Sequence, residues 1–204
     1  MVAGGWTVLS MTAPSQRPGY FDTLYAANPD PWGFETRDYE RDKYAATLSA
    51  LPRLRFASCL EVGCSIGVLT ELLGGRCDLL LGIDIAAAAL AQAQHRCRKL
   101  PGVRFAVSEL PLRAPTGPFD LIVLSEVLYY FNQDEIAKFA TLLAEQMTCD
   151  AAFMLVHWLG PTPDYPLTGD AAIEAFEAAM PKLTVLMRQR TPQYRLDVLG
   201  VRSV

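Results

Sequence analysis

Imidazole is scarce in this sequence, with two histidines in 204 residues, and cysteine is odd in number at five, without a Cys-x-x-Cys spacing anywhere. So few ligands argue against a zinc site, and an odd set of scattered thiols (Cys59, Cys64, Cys77, Cys97 and Cys149) argues against a disulfide framework. No metal is therefore expected, and the thiols read as reduced side chains of a cytoplasmic protein. A basic excess is missing as well. Lys and Arg number 18 against 22 Asp and Glu, a formal net charge of −4, and the basic residues are scattered rather than clustered. Nucleic-acid binders usually carry a basic face, so a phosphate backbone is not the expected partner. No apolar run approaches the roughly 18 residues of a membrane helix. The apolar start Met1–Met11 has no charged leading region and no clear cleavage site, so a signal peptide is not read either.

What is present is the composition of a globular α/β chain: 51% hydrophobic and 20% charged residues over about one domain's length. Residues 1–19 read as a flexible tail, and residues 20–204 as a single domain whose first part, 20–51, forms a lid and a helix. In Asn28-Pro29-Asp30-Pro31-Trp32-Gly33 two prolines and a glycine forbid a long helix, so the Trp32 segment is predicted to be a turn or lid. Tyr44, Leu48 and Leu51 then give residues 38–51 a helical spacing.

Strands and helices alternate from there. Apolar strands are predicted at Cys59–Val62, Leu79–Ile83, Val103–Val107, Phe119–Leu124 and Ala152–Trp158. Helices are predicted at Ile66–Leu73, Ala86–Leu100, Asp134–Met147 (capped by Asn132 or Asp134) and 170–180. Leu183–Gln189 and Tyr194–Leu199 look like a closing hairpin around Thr191-Pro192. The fold class is thus α/β: a doubly wound, mostly parallel, Rossmann-like sheet of seven strands, with a terminal antiparallel hairpin and helices on both faces.

In such sheets ligands bind outside the carboxyl ends of the strands, at the switch point. The first strand leads into Glu61-Val62-Gly63-Cys64-Ser65-Ile66-Gly67. A second glycine two residues after the first would make a dinucleotide fingerprint, but Ser65 stands there. Glu61, two residues before Gly63, would repel a pyrophosphate and would attract the sulfonium and ammonium of S-adenosylmethionine. The pattern resembles the first motif of the class I methyltransferases. Asp84 ends the second strand, about 20 residues on, where a carboxylate can accept from both ribose hydroxyls. It can equally cap the helix at Ala86. By the same resemblance, Glu109 after the third strand would accept from the adenine amine, with the Leu110 amide beside it. The cofactor set expected from these motifs is Glu61, Gly63, Cys64, Gly67, Asp84, Ile85, Glu109, Leu110 and Ser125. Tyr44 and Lys43 are added as groups that could reach the cofactor carboxylate, and Trp32 as a cover; Tyr44 in the core and Lys43 in solvent is the plainer reading.

An Asn-Pro-Pro-Tyr type loop, frequent where bases or planar amides are methylated, is absent after the fourth strand. Glu126-Val127-Leu128-Tyr129-Tyr130 stands there instead. Together with Asn28-Pro29-Asp30-Pro31-Trp32 and Tyr39-Glu40-Arg41, it is similar to the nodulation protein S family over about residues 20–160. Members of that family methylate the free amine of an amino sugar, and the resemblance implies a small-molecule or glycan acceptor. S-adenosylmethionine would be the methyl donor and S-adenosylhomocysteine the product. No membrane partner is implied, and the chain would act as a monomer or homodimer. Glu126 is the expected partner of the acceptor amine, Tyr129 a wall, and His157 the one plausible imidazole base; each has a plain structural alternative. The proline-rich loop Gly160–Gly169 reads as a substrate lid or a rigid connector. Methylation of a sugar hydroxyl, and cofactor binding without catalysis, remain open at this level.

Overall fold

The computed structural model describes residues 19–108 and 115–201. The tail predicted over 1–19 therefore lies, except for Gly19, outside the described residues, as do Glu109 and Leu110. Among the described residues, fourteen elements include helices α1 (Tyr20–Ala27) and α2 (Asp38–Ser49), then β1 (Phe56–Val62), α3 (Val68–Gly74), β2 (Cys77–Asp84), α4 (Ala87–Arg96) and β3 (Val103–Val107). After these come β4 (Phe119–Ser125), a 3-10 turn (Leu128–Tyr130), α5 (Gln133–Ala144) and β5 (Met147–Trp158). The chain continues through α6 (Gly169–Ala179), β6 (Leu183–Arg190) and β7 (Tyr194–Val201).

The seven strands form one sheet in the order β3-β2-β1-β4-β5-β7-β6. All pairings from β3 to β5 are parallel, and β7 is antiparallel to both β5 and β6. Alternation along the strands gives the sheet two cores. Ile122 and Leu124 of β4 join Phe139 of α5 and Phe176 of α6 in one cluster. Leu121 and Val123 join Leu69 and Leu73 of α3 and Tyr44 of α2 in the other. Helices thus cover both faces, as the continuous apolar strands required.

Several boundaries differ from the predicted ones for physical reasons. β1 and β5 start earlier, at Phe56 and Met147, because Phe56 and Ser58 pair with Cys77 and Leu79 of β2, and Met147 with Phe119 of β4, outside the continuous apolar runs. α3 starts at Val68 rather than Ile66, because Ser65 and Gly67 both hold left-handed backbone, with φ of 51° and 79°. α4 ends at Arg96, short of Leu100. Helix α1 has no predicted counterpart; its single buried residue, Tyr25, gives no periodic signal. The hairpin is pinned to α6 by charge: the fully buried Asp197 pairs with Arg195 and Arg188, and Arg195 reaches Glu177 and Asp170.

Candidate active site

From β1 the chain moves outward to β2 and β3, then returns to pair β4 on the other side of β1. The order reverses at the carboxyl ends of β1 and β4, and there a cavity of about 870 Å³ opens. Its floor is the glycine loop. Gly63 and Cys64 donate to the Ile83 carbonyl at 2.8 and 3.0 Å, which folds the loop across β2. Gly63 (φ 75°) is also held close, since a Cβ there would lie 3.3 Å from the Val127 side chain. Gly63, Cys64, Ser65 and Ile66 line the cavity. Gly67 does not. A Cβ on it would meet Ala93 Cβ at 2.8 Å and Cα at 2.9 Å, so this glycine lets the start of α3 lie against α4. Gly67 as a direct cofactor contact is therefore corrected to a packing role.

Two of the expected acids face the cavity. Glu61 is 2% exposed, and its Oε2 has no hydrogen-bond partner. Burial without a counter-charge, with Asp84 nearby, pushes its carboxyl up to about 8. Asp84 is held at both oxygens: Oδ2 accepts from the Ser65 amide and Oδ1 from the Ala86 amide, each at 2.9 Å. It does not act as the cap of α4, whose N-cap position is Ala86 itself. Its bond to the Ser65 amide fixes the left-handed loop residue against the end of β2. Ile85, Ser125 and the buried Cys64 also line the cavity.

Helix α1 and the Trp32 turn cover this end. The Tyr25 hydroxyl hydrogen-bonds the Ser65 hydroxyl. Trp32 meets Tyr25 edge-on at 5.8 Å between centroids, and Phe34 at 5.5 Å. The turn has a local cause, because the Asp30 carboxylate accepts from the Phe34 and Glu35 amides at 2.8 and 3.1 Å. Trp32 lines the cavity.

The opposite end is organised around Glu126, which stands in left-handed backbone (φ 55°), an uncommon conformation for a side-chain-bearing residue. Its amide donates to the Val156 carbonyl at 2.8 Å, turning the chain so that the carboxylate faces inward. Oε1 accepts from Lys43 Nζ at 2.7 Å, and Oε2 from the Trp158 amide at 2.9 Å and the Tyr129 hydroxyl at 3.1 Å. Burial alone would raise this carboxyl; the Lys43 ammonium, with His157 and the hydrogen bonds from Lys43 and the Trp158 amide, together outweigh it, and the net displacement is downward. Glu126 is accordingly ionised and accepts three hydrogen bonds, one at Oε1 and two at Oε2. Lys43 is neither solvated nor free for another anion. It is 2% exposed and bridges Glu126 to Glu40, whose Oε2 lies 3.0 Å away. Tyr44 is buried in the core cluster and also lines the cavity.

Tyr129 is buried, lines the cavity, and stacks on Tyr165 at 5.3 Å with planes 5° apart. Tyr130 closes on both rings at 4.8 and 4.6 Å. Tyr165 brings the Gly160–Gly169 loop to the site, and Pro161 and Thr162 of that loop also line the cavity.

His157 is corrected from a candidate base to a structural residue. It is fully buried and is not part of the cavity wall. Its Nε2 accepts from the Leu128 amide at 3.0 Å, which leaves the proton on Nδ1. Burial pushes the imidazole down to about 4. His157→Leu is expected to cost about 1–3 kcal/mol in urea unfolding, because it strands the buried Leu128 amide. The wild type should lose stability as pH falls from about 6.5 towards 4, since the unfolded chain then binds the extra proton, and the variant should lose less. An unchanged acid limb would refute this placement.

Tyr25, Ser65, Tyr39, Glu40, Trp158 and Tyr165 were not among the expected site residues, yet all line the cavity. A signal existed for one of them: Glu40 and Lys43 are three apart on a helix, on the same face. Among the described residues, Glu40, Glu61, Asp84, Glu126 and Glu135 face only Lys43 and Arg37 as cations across the cavity. With aromatic rings between them, such walls suit a cationic or amine-bearing occupant.

Residues 23–155 match the model of the family described as nodulation protein S (NodS). Nodulation protein S of Bradyrhizobium diazoefficiens is 36% identical over 104 residues, which are 50% of this chain and 50% of that protein. The chain thus spans about half the length of the curated relatives it matches. Among solved structures, a Pseudomonas syringae chain is 32% identical with a TM-score of 0.71, covering 80% of this chain and 99% of that one. N-methyltransferase NodS of Bradyrhizobium japonicum WM9, in complex with S-adenosyl-L-homocysteine, has a TM-score of 0.77 at 21% identity. It covers 89% of this chain and 100% of its own.

Proposed function

The chain belongs to the nodulation protein S family, and from that premise we propose that it is an S-adenosylmethionine-dependent methyltransferase acting on the amine of a small polar acceptor, an amino sugar or glycan. The observation that carries this reading is the acidic, aromatic cavity at the switch point, with the buried carboxyl of Glu61, whose Oε2 has no hydrogen-bond partner, in its wall. That orphan oxygen fits a cationic cofactor and does not fit a dinucleotide pyrophosphate. On this reading residues 20–204 work as one domain with 20–51 as its lid.

Gly63, Cys64, Glu61, Asp84, Ile85, Ser125, Tyr44 and Trp32 would hold the cofactor, with Glu109 and Leu110 added by the family resemblance. Asp84 keeps lone pairs beyond those used by its two amides, and these would take the ribose hydroxyls. Bound there, S-adenosylmethionine would supply an electrophilic methyl group on sulfur, with S-adenosylhomocysteine as the product. Lys43 is assigned to holding Glu126 ionised and in place rather than to the cofactor carboxylate. Glu126 would then orient the acceptor nitrogen by accepting its N–H, and Tyr129 with Tyr165 would wall it. An amine attacks in its neutral form and sheds its proton to water afterwards, so this arrangement needs alignment more than a strong base. A hydroxyl acceptor would need a base, and His157 stands outside the cavity.

The test is methyl transfer to a matched pair of sugars, one with a free amine and one with a hydroxyl in its place. Transfer to the amine alone is expected, with Glu126→Gln lowering kcat/KM at least tenfold (about 1.4 kcal/mol). Transfer to the hydroxyl would replace the amine reading, and binding without transfer to any acceptor would replace the catalytic one. S-adenosylhomocysteine at 100 Kd should stabilise the protein by about 2.7 kcal/mol, and NAD should not.

A further inference from the structure

The orphan carboxyl of Glu61 leads further than a cofactor contact. It lies near the end of β1, is 2% exposed, lines the cavity, and has a buried oxygen, Oε2, without a hydrogen-bond partner. Its neighbours come from every element around it, and none is a cation. Cys59 on its own strand and Cys64 of the loop are buried thiols. Tyr44 faces it from α2, Thr70 from α3, Asp84 from β2, and Cys97 from the end of α4. Of the two cations that line the cavity among the described residues, Lys43, the nearer in sequence to Tyr44, is engaged by Glu40 and Glu126. A buried carboxylate without a counter-charge takes up a proton rather than stay ionised.

Resting on the cofactor reading above, we propose that Glu61 is protonated while the cavity is empty and releases that proton when a sulfonium occupies it. The cavity would thereby tell the cationic methyl donor from its neutral thioether product by proton exchange. The step balances: the carboxylic acid O–H breaks, its proton goes to solvent, and the carboxylate faces the new cation. When the methyl group has left, the positive charge leaves the sulfur and the proton returns. The sign follows from linkage. The empty cavity binds more protons than the one holding a cation, so affinity for the donor rises with pH until about 8, the value to which burial pushes Glu61, and levels off above it.

Titration calorimetry at pH 7, in two buffers of different ionisation enthalpy, counts the protons released. It would be run on the wild type and on Glu61→Gln, with S-adenosylmethionine and S-adenosylhomocysteine. The ligands' own amines titrate alike in both proteins and cancel in the difference. About one proton more should leave the wild type than the variant on binding the sulfonium, with no such excess for the thioether. Equal counts in the two proteins, or the same excess with both ligands, would overturn the proposal. Glutamine has the shape of the protonated side chain, so the variant should fold. Infrared difference spectra of the wild type give a readout that needs no variant. The C=O band of the protonated carboxyl should vanish on adding S-adenosylmethionine and persist with S-adenosylhomocysteine; a band unchanged by both would overturn the proposal. If neither ligand binds at all, the methyltransferase reading fails and this inference with it. If both bind with matched proton counts, only this inference fails.

Discussion

Lys43→Met should lower the free energy of unfolding at pH 7 by about 3–5 kcal/mol, the cost of leaving a buried charge without its partner. Methionine preserves most of the aliphatic stem, so packing against the Tyr39 and Tyr44 rings, which lie 5.1 and 5.9 Å from the ammonium, is largely kept. What disappears is the one cation between Glu40 and Glu126, both of which face the same enclosed space. The two carboxylates then repel each other and have to share a proton. The loss should therefore shrink on acidification, because a carboxyl whose pKa rises on folding stabilises the fold as pH drops. Urea unfolding at pH 7 and pH 5 reads both quantities. Adding Glu40→Gln and Glu126→Gln to Lys43→Met should recover much of the deficit. A single-variant loss under about 1 kcal/mol, typical of exposed ion pairs, would show that Lys43 is solvated after all.

Asp84→Asn is expected to weaken S-adenosylhomocysteine binding about 10²- to 10⁴-fold. Two charge-assisted bonds to ribose hydroxyls, at about 1.5–3 kcal/mol each, set that range. The change also disturbs the loop, because two oxygens now accept from the Ser65 and Ala86 amides. An asparagine offers one oxygen and turns an N–H toward the other donor. Ser65 in left-handed backbone then loses its tether, and the Tyr25 hydroxyl that meets it loses a fixed partner. Calorimetry on wild type and variant measures the affinity, and circular dichroism checks that the sheet is intact. A variant that binds within threefold of wild type would mean that Asp84 only organises the loop.

The sheet was legible in the sequence because buried parallel strands are nearly continuous apolar runs, and Leu79–Ile83 and Phe119–Leu124 stand out between glycines and prolines. The ladder's ends were not, since Ser58 and Met147 pair with Leu79 and Phe119 through backbone atoms that no side-chain pattern reports. Within the site, residues tied to strand ends (Glu61, Gly63, Asp84, Glu126) could be placed by position alone. Gly67 could not be separated from Gly63, because a glycine needed for packing against Ala93 looks the same in sequence as one that borders a ligand. His157 misled for a related reason: a strand-end imidazole reads as a base until the Leu128 amide is seen to occupy it. The Glu40–Lys43–Glu126 link spans 83 residues between its last two members. Its Glu40–Lys43 half had a helical spacing, but only the fold brings Glu126 to it.

The cover over the glycine loop has a kinetic meaning. Helix α2 is anchored by four buried side chains, whereas the eight residues of α1 bury Tyr25 alone. Segments holding little buried surface open at the lowest free energy, well below that of global unfolding. Detachment of Tyr25 from Ser65 is then the cheapest way to expose the loop. The amides of α1 should exchange with solvent ahead of those in α2, and the residence time of a bound ligand becomes a property of one short helix rather than of the sheet beneath it.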